Sequence, residues 1–223
     1  LSEPARPSGA PGSDCASDRT RRYRVRSRTE HFAGPVFRIV TDEVEMPGGN
    51  VAKRDFMVHI GAVGVVALDD DGRVVLVCQY RHPVRQHLWE LPAGLIDVAG
   101  EALDRAAVRE LEEEADLTAG RLDLLADMYP SPGCSTEVIR LFLARDLSPV
   151  PPERRHQRRD EEAGMVVRRV DLDEAVAMAL RGEIVNAACL VGLLAAARAR
   201  DGGWSALRPV DAPLERGKLA PHS

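Results

Sequence analysis

GLIDVAGEALDRAAVRELEEEADL, residues 94–117, joins a glycine-bearing loop to a stretch with helical periodicity. At about 3.6 residues per turn, Ala107, Leu111 and Ala115 recur at i, i+4 and i+8 as an apolar stripe, which predicts an amphipathic helix over about 102–115. Glu110, Glu113 and Glu114 fall within one arc of roughly 100° beside that stripe, and Glu112 points well away. Like charges at i, i+3 and i+4 destabilise a bare helix by about 0.2–0.5 kcal/mol per pair. Arg109, four residues before Glu113, offsets only part of that repulsion. A solvated acidic face is one reading of such a run. The other is a site for a hard divalent cation, since Mg²⁺ takes carboxylate oxygens and keeps several of its waters. The Ala93-Gly94 loop can then bring a backbone carbonyl to the same ion.

Outward from the helix on the N-terminal side, Leu88-Trp89-Glu90-Leu91 is a short apolar piece leading into Pro92-Ala93-Gly94. Further back, AVGVVAL (62–68) and RVVLVCQY (73–80) flank Asp69-Asp70-Asp71-Gly72 and predict a hairpin. Their near-continuous valines predict strands buried on both faces. VFRIVTDEVEM (36–46) and VAKRDFMVH (51–59) flank Pro47-Gly48-Gly49-Asn50, a turn rich in residues that accept positive φ, and predict another hairpin. Before it, six arginines lie between Arg19 and Arg28, read as the charged face of an edge strand in preference to an anion-binding arm. Residues 1–20, rich in Pro, Gly and Ser, predict a disordered tail without the apolar core of a signal peptide.

On the C-terminal side, RLDLLADMY (121–129) and EVIRLFLAR (137–145) predict strands around the loop Pro130-Ser131-Pro132-Gly133-Cys134-Ser135. A long polar stretch (148–163) ends in Asp160-Glu161-Glu162, a length that in a compact domain is usually functional or disordered. MVVRRV (165–170) is the last predicted strand, and 172–181 and 184–198 are predicted helices divided by Gly182. From Asp201 the tail is irregular, with Trp204 expected to pin it down. The order of strands, helix, strands and helices makes this an α+β or α/β/α layered protein.

Composition sets the outer bounds. The chain has 223 residues and 44% hydrophobic content, enough for one domain with a sizeable core. A net charge of −5 gives no electrostatic case for nucleic-acid binding. No apolar run approaches the roughly 18 residues of a membrane span. The four cysteines have no C-x-x-C spacing and read as reduced thiols, which points to the cytoplasm.

The opening stretch resembles the Nudix box, G-x5-E-x7-R-E-U-x-E-E-x-G-U with U a bulky aliphatic residue. Gly94, Glu101, Arg109-Glu110-Leu111, Glu113-Glu114 and Leu117 carry the resemblance. Two departures are visible: six residues, not five, separate Gly94 from Glu101, and Asp116 stands where the box has its second Gly. An insertion in a loop is cheap, and Asp tolerates the left-handed conformation expected past a helix end. Pro132, fifteen residues beyond Leu117, matches a position that marks the ADP-ribose pyrophosphatase group. CQYRH (78–82), LWELPAG (88–94), DEEA (160–163) and GEIVNAA (182–188) are similar to the actinobacterial members, and the resemblance spans about residues 30–200.

The resemblance implies an α+β Nudix fold, a mixed sheet in an α/β/α sandwich, over 61–200. It also implies an N-terminal antiparallel β-sheet subdomain over 21–60 that is exchanged in a homodimer, with 201–223 as a C-terminal tail. It implies Mg²⁺-dependent (or Mn²⁺-dependent) hydrolysis of the diphosphate of ADP-ribose to AMP and ribose 5-phosphate, with two or three ions per site. Glu110 and Glu114 are the implied metal ligands with the carbonyl of Ala93, and Glu113 is a ligand or shares a bridging ion. Arg109 would hold the helix carboxylates in place, and Glu101 would orient the loop or helix. The base that activates water falls on Glu162, with Glu161 beside it and Glu113 also a candidate, against an ordinary solvated acidic loop.

Arg54, Arg81 and Gly133 are candidate substrate contacts, since a guanidinium binds phosphate oxygens bidentately; either arginine equally suits a surface ion pair. Phe32, Phe37 and Trp89 are candidates to stack on adenine, although strand aromatics are more often core. Ser131 and Ser135 are expected to fold their loop through side-chain-to-backbone hydrogen bonds. Another nucleoside diphosphate sugar as substrate is the nearest alternative. A non-cleaving ADP-ribose sensor is the further one, and it sits poorly with three retained box carboxylates.

Overall fold

A computed structural model describes residues 23–158 and 164–214. Strands β1 (Val25–Ala33), β2 (Phe37–Glu45) and β3 (Val51–His59) form an antiparallel sheet of their own in that order. The expected turn closes β2 on β3, with positive φ at Gly48 (101°) and Gly49 (87°), where a Cβ would be strained. Register then runs unbroken from Glu45↔Val51 to Phe37↔His59. β1 is an edge strand, as the arginine-rich stretch predicted. Arg28 donates to both carboxylate oxygens of Asp42 across the sheet at 2.7 and 2.8 Å. Arg19, Arg21 and Arg22, and the predicted tail over 1–20, lie outside the described residues.

The second predicted hairpin needs correction. β4 (Ala62–Ala67) and β5 (Arg73–Arg81) meet only at their turn, through the bridge Leu68↔Val74, and then part into different sheets. β4 lies at the heart of a mixed sheet ordered β7-β4-β9-β8, parallel to β9 (Ile139–Pro149) and antiparallel to β7 (Ala93–Leu95); β8 (Leu117–Met128) forms the far edge. β5 is central in an antiparallel sheet ordered β10-β5-β6, between β10 (Val166–Asp171) and β6 (Gln86–Glu90). The valine runs explain the split: both strands are fully buried along their middles, so each needs a packed layer on either face.

Those layers are helical. α1 (Leu103–Ala115) packs Ala106, Ala107, Leu111 and Ala115 onto Val63, Val65, Val75 and Phe142. α2 (Leu172–Leu180) and α3 (Ala187–Asp201) close the other core, where Leu172, Ala175, Leu193 and Ala196 meet Val66, Leu76, Leu141 and Leu143. β4 therefore sends Val63 and Val65 to α1 and Val66 to the opposite helices, giving the α/β/α sandwich expected. Trp204 does pin the chain beyond α3, with the Arg145 guanidinium 4.7 Å from its ring centre and Leu124 bridged to Arg208.

The N-terminal sheet joins this body through one loop. Met57 of β3 donates to the Cys134 carbonyl at 2.8 Å and accepts from the Thr136 N–H at 2.9 Å. The backbone N–H of His59 donates to Thr136 Oγ1 at 2.9 Å.

Candidate active site

The apolar stripe of α1 fixes how its carboxylates lie. With Leu111 wholly buried against β4 and β9, Glu110 and Glu114 are drawn toward the sheet and retain only 9% and 5% exposure. Glu113 is half-buried on the same face. Glu112 turns away, as predicted, toward Arg154 at 3.9 Å.

The loop leading to α1 meets these carboxylates. β7 is held on β4 in the register Val63↔Gly94 and Gly64↔Ala93. The Ala93 N–H donates to Glu114 Oε2 at 2.9 Å. Gly94 lies under Glu110 so closely that a Cβ there would overlap the carboxylate carbon and both of its oxygens. Glycine at this position thus serves the close approach of the Glu110 carboxylate, which a Cβ would displace, and not a special backbone conformation.

Arg109 is the charge centre of the face. Its guanidinium donates to Glu101 Oε1 at 3.2 Å and Oε2 at 3.0 Å, to Glu110 Oε1 at 2.6 Å and to Glu113 Oε2 at 3.4 Å. Asp97 lies 3.7 Å away. The two-pronged bond holds the Glu101 carboxyl below its ordinary range. Glu110 moves the other way: burial pushes its carboxyl up, the Glu113 charge adds to that, and Arg109 only partly opposes it.

Among the described residues, no three His, Cys, Asp or Glu side chains stand gathered as a preformed metal cage. As they lie, Glu110 is held by Arg109 and Glu114 by the Ala93 N–H. The donor chemistry nonetheless fits a hard divalent cation. Three carboxylates share one face of α1, two of them buried, and the burial of Glu110 is only partly offset by Arg109.

The other expected residues lie on other elements, β5, β3 and the 130–135 loop. Arg81, at the end of β5, donates to the two oxygens of Glu90 at 3.0 and 2.7 Å. The Glu90 side chain is 3% exposed and that of Arg81 is 42% exposed, so a surface guanidinium is anchored on a buried carboxylate. Arg54 is exposed on β3, where it donates to the Lys53 carbonyl at 2.8 Å. Gly133 is exposed in the 130–135 loop with open space where a Cβ would be. That loop folds as expected at Ser135, whose Oγ accepts from the Glu137 N–H; Ser131 departs from the expectation, its backbone carbonyl accepting from the N–H groups of Cys134 and Ser135 while its hydroxyl meets Cys134 Sγ at 3.1 Å. Glu161 and Glu162 lie outside the described residues.

The aromatic expectation changes. Phe32 and Phe37 are not core: their rings stand 5.7 Å apart and remain 51% and 37% exposed on the N-terminal sheet. Trp89 does pack against the α2/α3 core.

Two residues went unnoticed in the sequence. Glu90 carried a weak signal, a charged residue inside the apolar run LWEL, where only a partner justifies burial. Arg158, which donates to the Asp116 carboxylate at 2.7 Å and to the Glu113 backbone carbonyl at 3.1 Å at the end of α1, carried none, being one of several arginines in a polar stretch.

Residues 58–190 match the NUDIX domain. The chain is 44% identical over 188 residues to the ADP-ribose pyrophosphatase of Mycobacterium tuberculosis, covering 84% of this chain and 88% of that one. It is 36% identical over 161 residues to the ADP-ribose pyrophosphatase of Bacillus subtilis, covering 72% of this chain and 85% of that one. Among solved structures, an ADP compounds hydrolase aligns with a TM-score of 0.70 at 20% identity, over 82% of this chain and 96% of its own; at that identity the likeness speaks for the fold.

Proposed function

This chain belongs to the NUDIX family, and from that premise we propose that it hydrolyses the diphosphate of ADP-ribose to AMP and ribose 5-phosphate. The carrying observation is the 44% identity, across 84% of this chain and 88% of the relative, to a protein named as an ADP-ribose pyrophosphatase. A second relative at 36% identity bears the same name. The test is turnover of a panel of nucleoside diphosphate derivatives with Mg²⁺. ADP-ribose should rank first, and a rank well below GDP-mannose would reassign the substrate.

Glu110, Glu113 and Glu114, with the Ala93 carbonyl, are the residues that would hold the divalent ions, two or three of them as Mg²⁺ or Mn²⁺. Such ions neutralise the diphosphate and lower the pKa of a bound water. The protein's own part is to keep the carboxylates in place. Arg109 ties Glu110 and Glu113 to Glu101, so two carboxylates of the face are anchored to the residues just before α1. Gly94 leaves room for Glu110, and the Ala93 N–H orients Glu114.

A proton must leave the attacking water, and the segment before β10 supplies the candidate bases, Glu162 first and Glu161 beside it. Arg81 and Arg54 would bind phosphate oxygens, and Gly133 would let the 130–135 loop approach the substrate. What supports Arg81 is its mounting: Glu90 fixes one edge of its guanidinium, which costs a ligand less ordering than a free side chain would.

The N-terminal sheet, taken as residues 21–60, would be exchanged between two copies in a homodimer. In support, among the described residues it carries no helical layer of its own, leaves Phe32 and Phe37 exposed and meets the catalytic body through Met57 and His59. The cytoplasm is the proposed location, on the strength of reduced cysteines. Among the described residues, no helix is long and apolar enough to cross a membrane.

A further inference from the structure

Beside the Arg81–Glu90 pair lies a polar group without a partner. Gln79, on β5, is 5% exposed, and among the described residues its buried Nε2 meets no hydrogen-bond acceptor. A buried amide donor left unpaired costs stability that an apolar side chain of the same size does not.

Strand register shows where this donor stands. Val77 lies opposite Glu90 on β6, Gln79 opposite Leu88, and Arg81 opposite Gln86. Residues directly opposite in an antiparallel pair, and those two apart on one strand, share a face of the sheet. Gln79, Arg81 and Glu90 therefore share one face of β5 and β6, the face on which Val75 packs with Ala107 and Leu111 of α1. Glu90 lies opposite Val77, four residues before Arg81, so the Arg81 side chain runs back past Gln79 to reach the carboxylate at 3.0 and 2.7 Å. Gln79 thus sits between the two members of the pair and diagonal to Glu90, a separation that long side chains bridge.

As the pair stands, one guanidinium answers one carboxylate, and the Glu90 side chain is 3% exposed. A substrate phosphate on the outer edge of Arg81 changes that balance. One positive charge then serves two anions, one of them desolvated, and its hold on Glu90 weakens. A second donor to Glu90 offsets the loss, and Gln79 Nε2 is an unpaired donor on the same face.

We propose that Gln79 is a positioning residue for substrate binding, its amide turning to the Glu90 carboxylate when a phosphate engages Arg81. The inference rests on the reading of Arg81 as a phosphate contact. It accounts for a buried amide that packing alone does not call for.

The test compares Gln79→Met, which keeps the volume and removes the donor, with Gln79→Leu as a second apolar replacement. Arg81→Ala, Glu90→Gln and the double variant Gln79→Met with Glu90→Gln complete the set. The readouts are the melting temperature and kcat and KM for ADP-ribose, or for whichever nucleoside diphosphate sugar the substrate panel ranks first. Both apolar variants should melt at or above the wild-type temperature, raise KM about tenfold and leave kcat within about twofold. In the Glu90→Gln background, where no buried charge needs the donor, Gln79→Met should change KM by less than about twofold. A KM within about twofold of wild type in both apolar variants, or the same tenfold loss with Glu90 replaced, would overturn the role of Gln79. Arg81→Ala separates the two readings. If it raises KM while the apolar variants do not, Arg81 stands as the phosphate contact and the role of Gln79 falls. If it leaves KM unchanged, the phosphate reading falls and takes the role of Gln79 with it.

Discussion

The carboxylate of Glu110 lies over the Cα of Gly94, in the space a side chain at position 94 would occupy. One contact thus links the two ends of the opening stretch, and it makes the glycine and the glutamate a single requirement. Gly94→Ala should push the carboxylate away without straining the backbone, since Gly94 is not among the residues with positive φ. We expect kcat to fall about 10- to 100-fold and the apparent Mg²⁺ affinity to weaken, while the far-ultraviolet circular dichroism stays unchanged. Wild-type kinetics in this variant would mean that Glu110 does not work from where it lies.

Glu110→Gln and Glu114→Gln should each lower kcat on the order of a hundredfold or more while the fold persists. Glu110→Gln should not cost stability in metal-free buffer, because burial already disfavours the charged form. A variant that loses activity and melts at or above the wild-type temperature is the mark of a functional carboxylate. Normal turnover in either would remove the metal-site assignment.

The same burial sets a pH dependence. Glu110 has a folded-state pKa above its unfolded value, so the unfolded chain releases that proton first. Its contribution to stability is therefore full below the unfolded pKa and is lost as pH rises through the folded one. Glu101, held down by Arg109, runs the opposite way: its contribution is present above the unfolded pKa and is lost as pH falls through the folded one. Thermal melts in EDTA from about pH 4 to pH 8 should show Glu110→Gln gaining on wild type as pH rises. A constant difference across that range would contradict the burial argument.

Arg81→Ala should raise KM for ADP-ribose and also destabilise the fold, because it strands the buried Glu90 carboxylate. Losing one partner of a buried pair costs about 3–5 kcal/mol; the open face of Arg81 places this pair toward the low end. Arg81→Ala combined with Glu90→Gln should recover much of the melting temperature and none of the KM. Recovery of both would mean that the arginine serves the fold alone.

How much of this was legible beforehand depended on the range of each interaction. α1 and its carboxylate face could be read from residues 102–115 because helical periodicity is local, and the box register supplied the chemistry. The β2–β3 hairpin was equally local, fixed by Pro47-Gly48-Gly49-Asn50. β4 and β5 were misjoined for the converse reason. Their turn signal is genuine, but partner choice is set by β9, 77 residues away in the register Ala67↔Ala144, and by β10, 88 residues away at Val166↔Cys78 and farther along the strand. Phe32 and Phe37 misled because alternation indicates a strand but not whether a second layer covers it. The Glu90–Arg81 and Asp116–Arg158 pairs join residues 9 and 42 positions apart, and charge patterns in sequence do not select partners at such distances.

The most direct measurement is hydrolysis of ADP-ribose by the wild-type protein with Mg²⁺ in ¹⁸O-labelled water, with products resolved by mass spectrometry. AMP and ribose 5-phosphate should appear in equal amounts, with one ¹⁸O in the phosphate of a single product. Intact ADP-ribose under conditions where another nucleoside diphosphate sugar is consumed, or label outside the two phosphates, would contradict the proposed function.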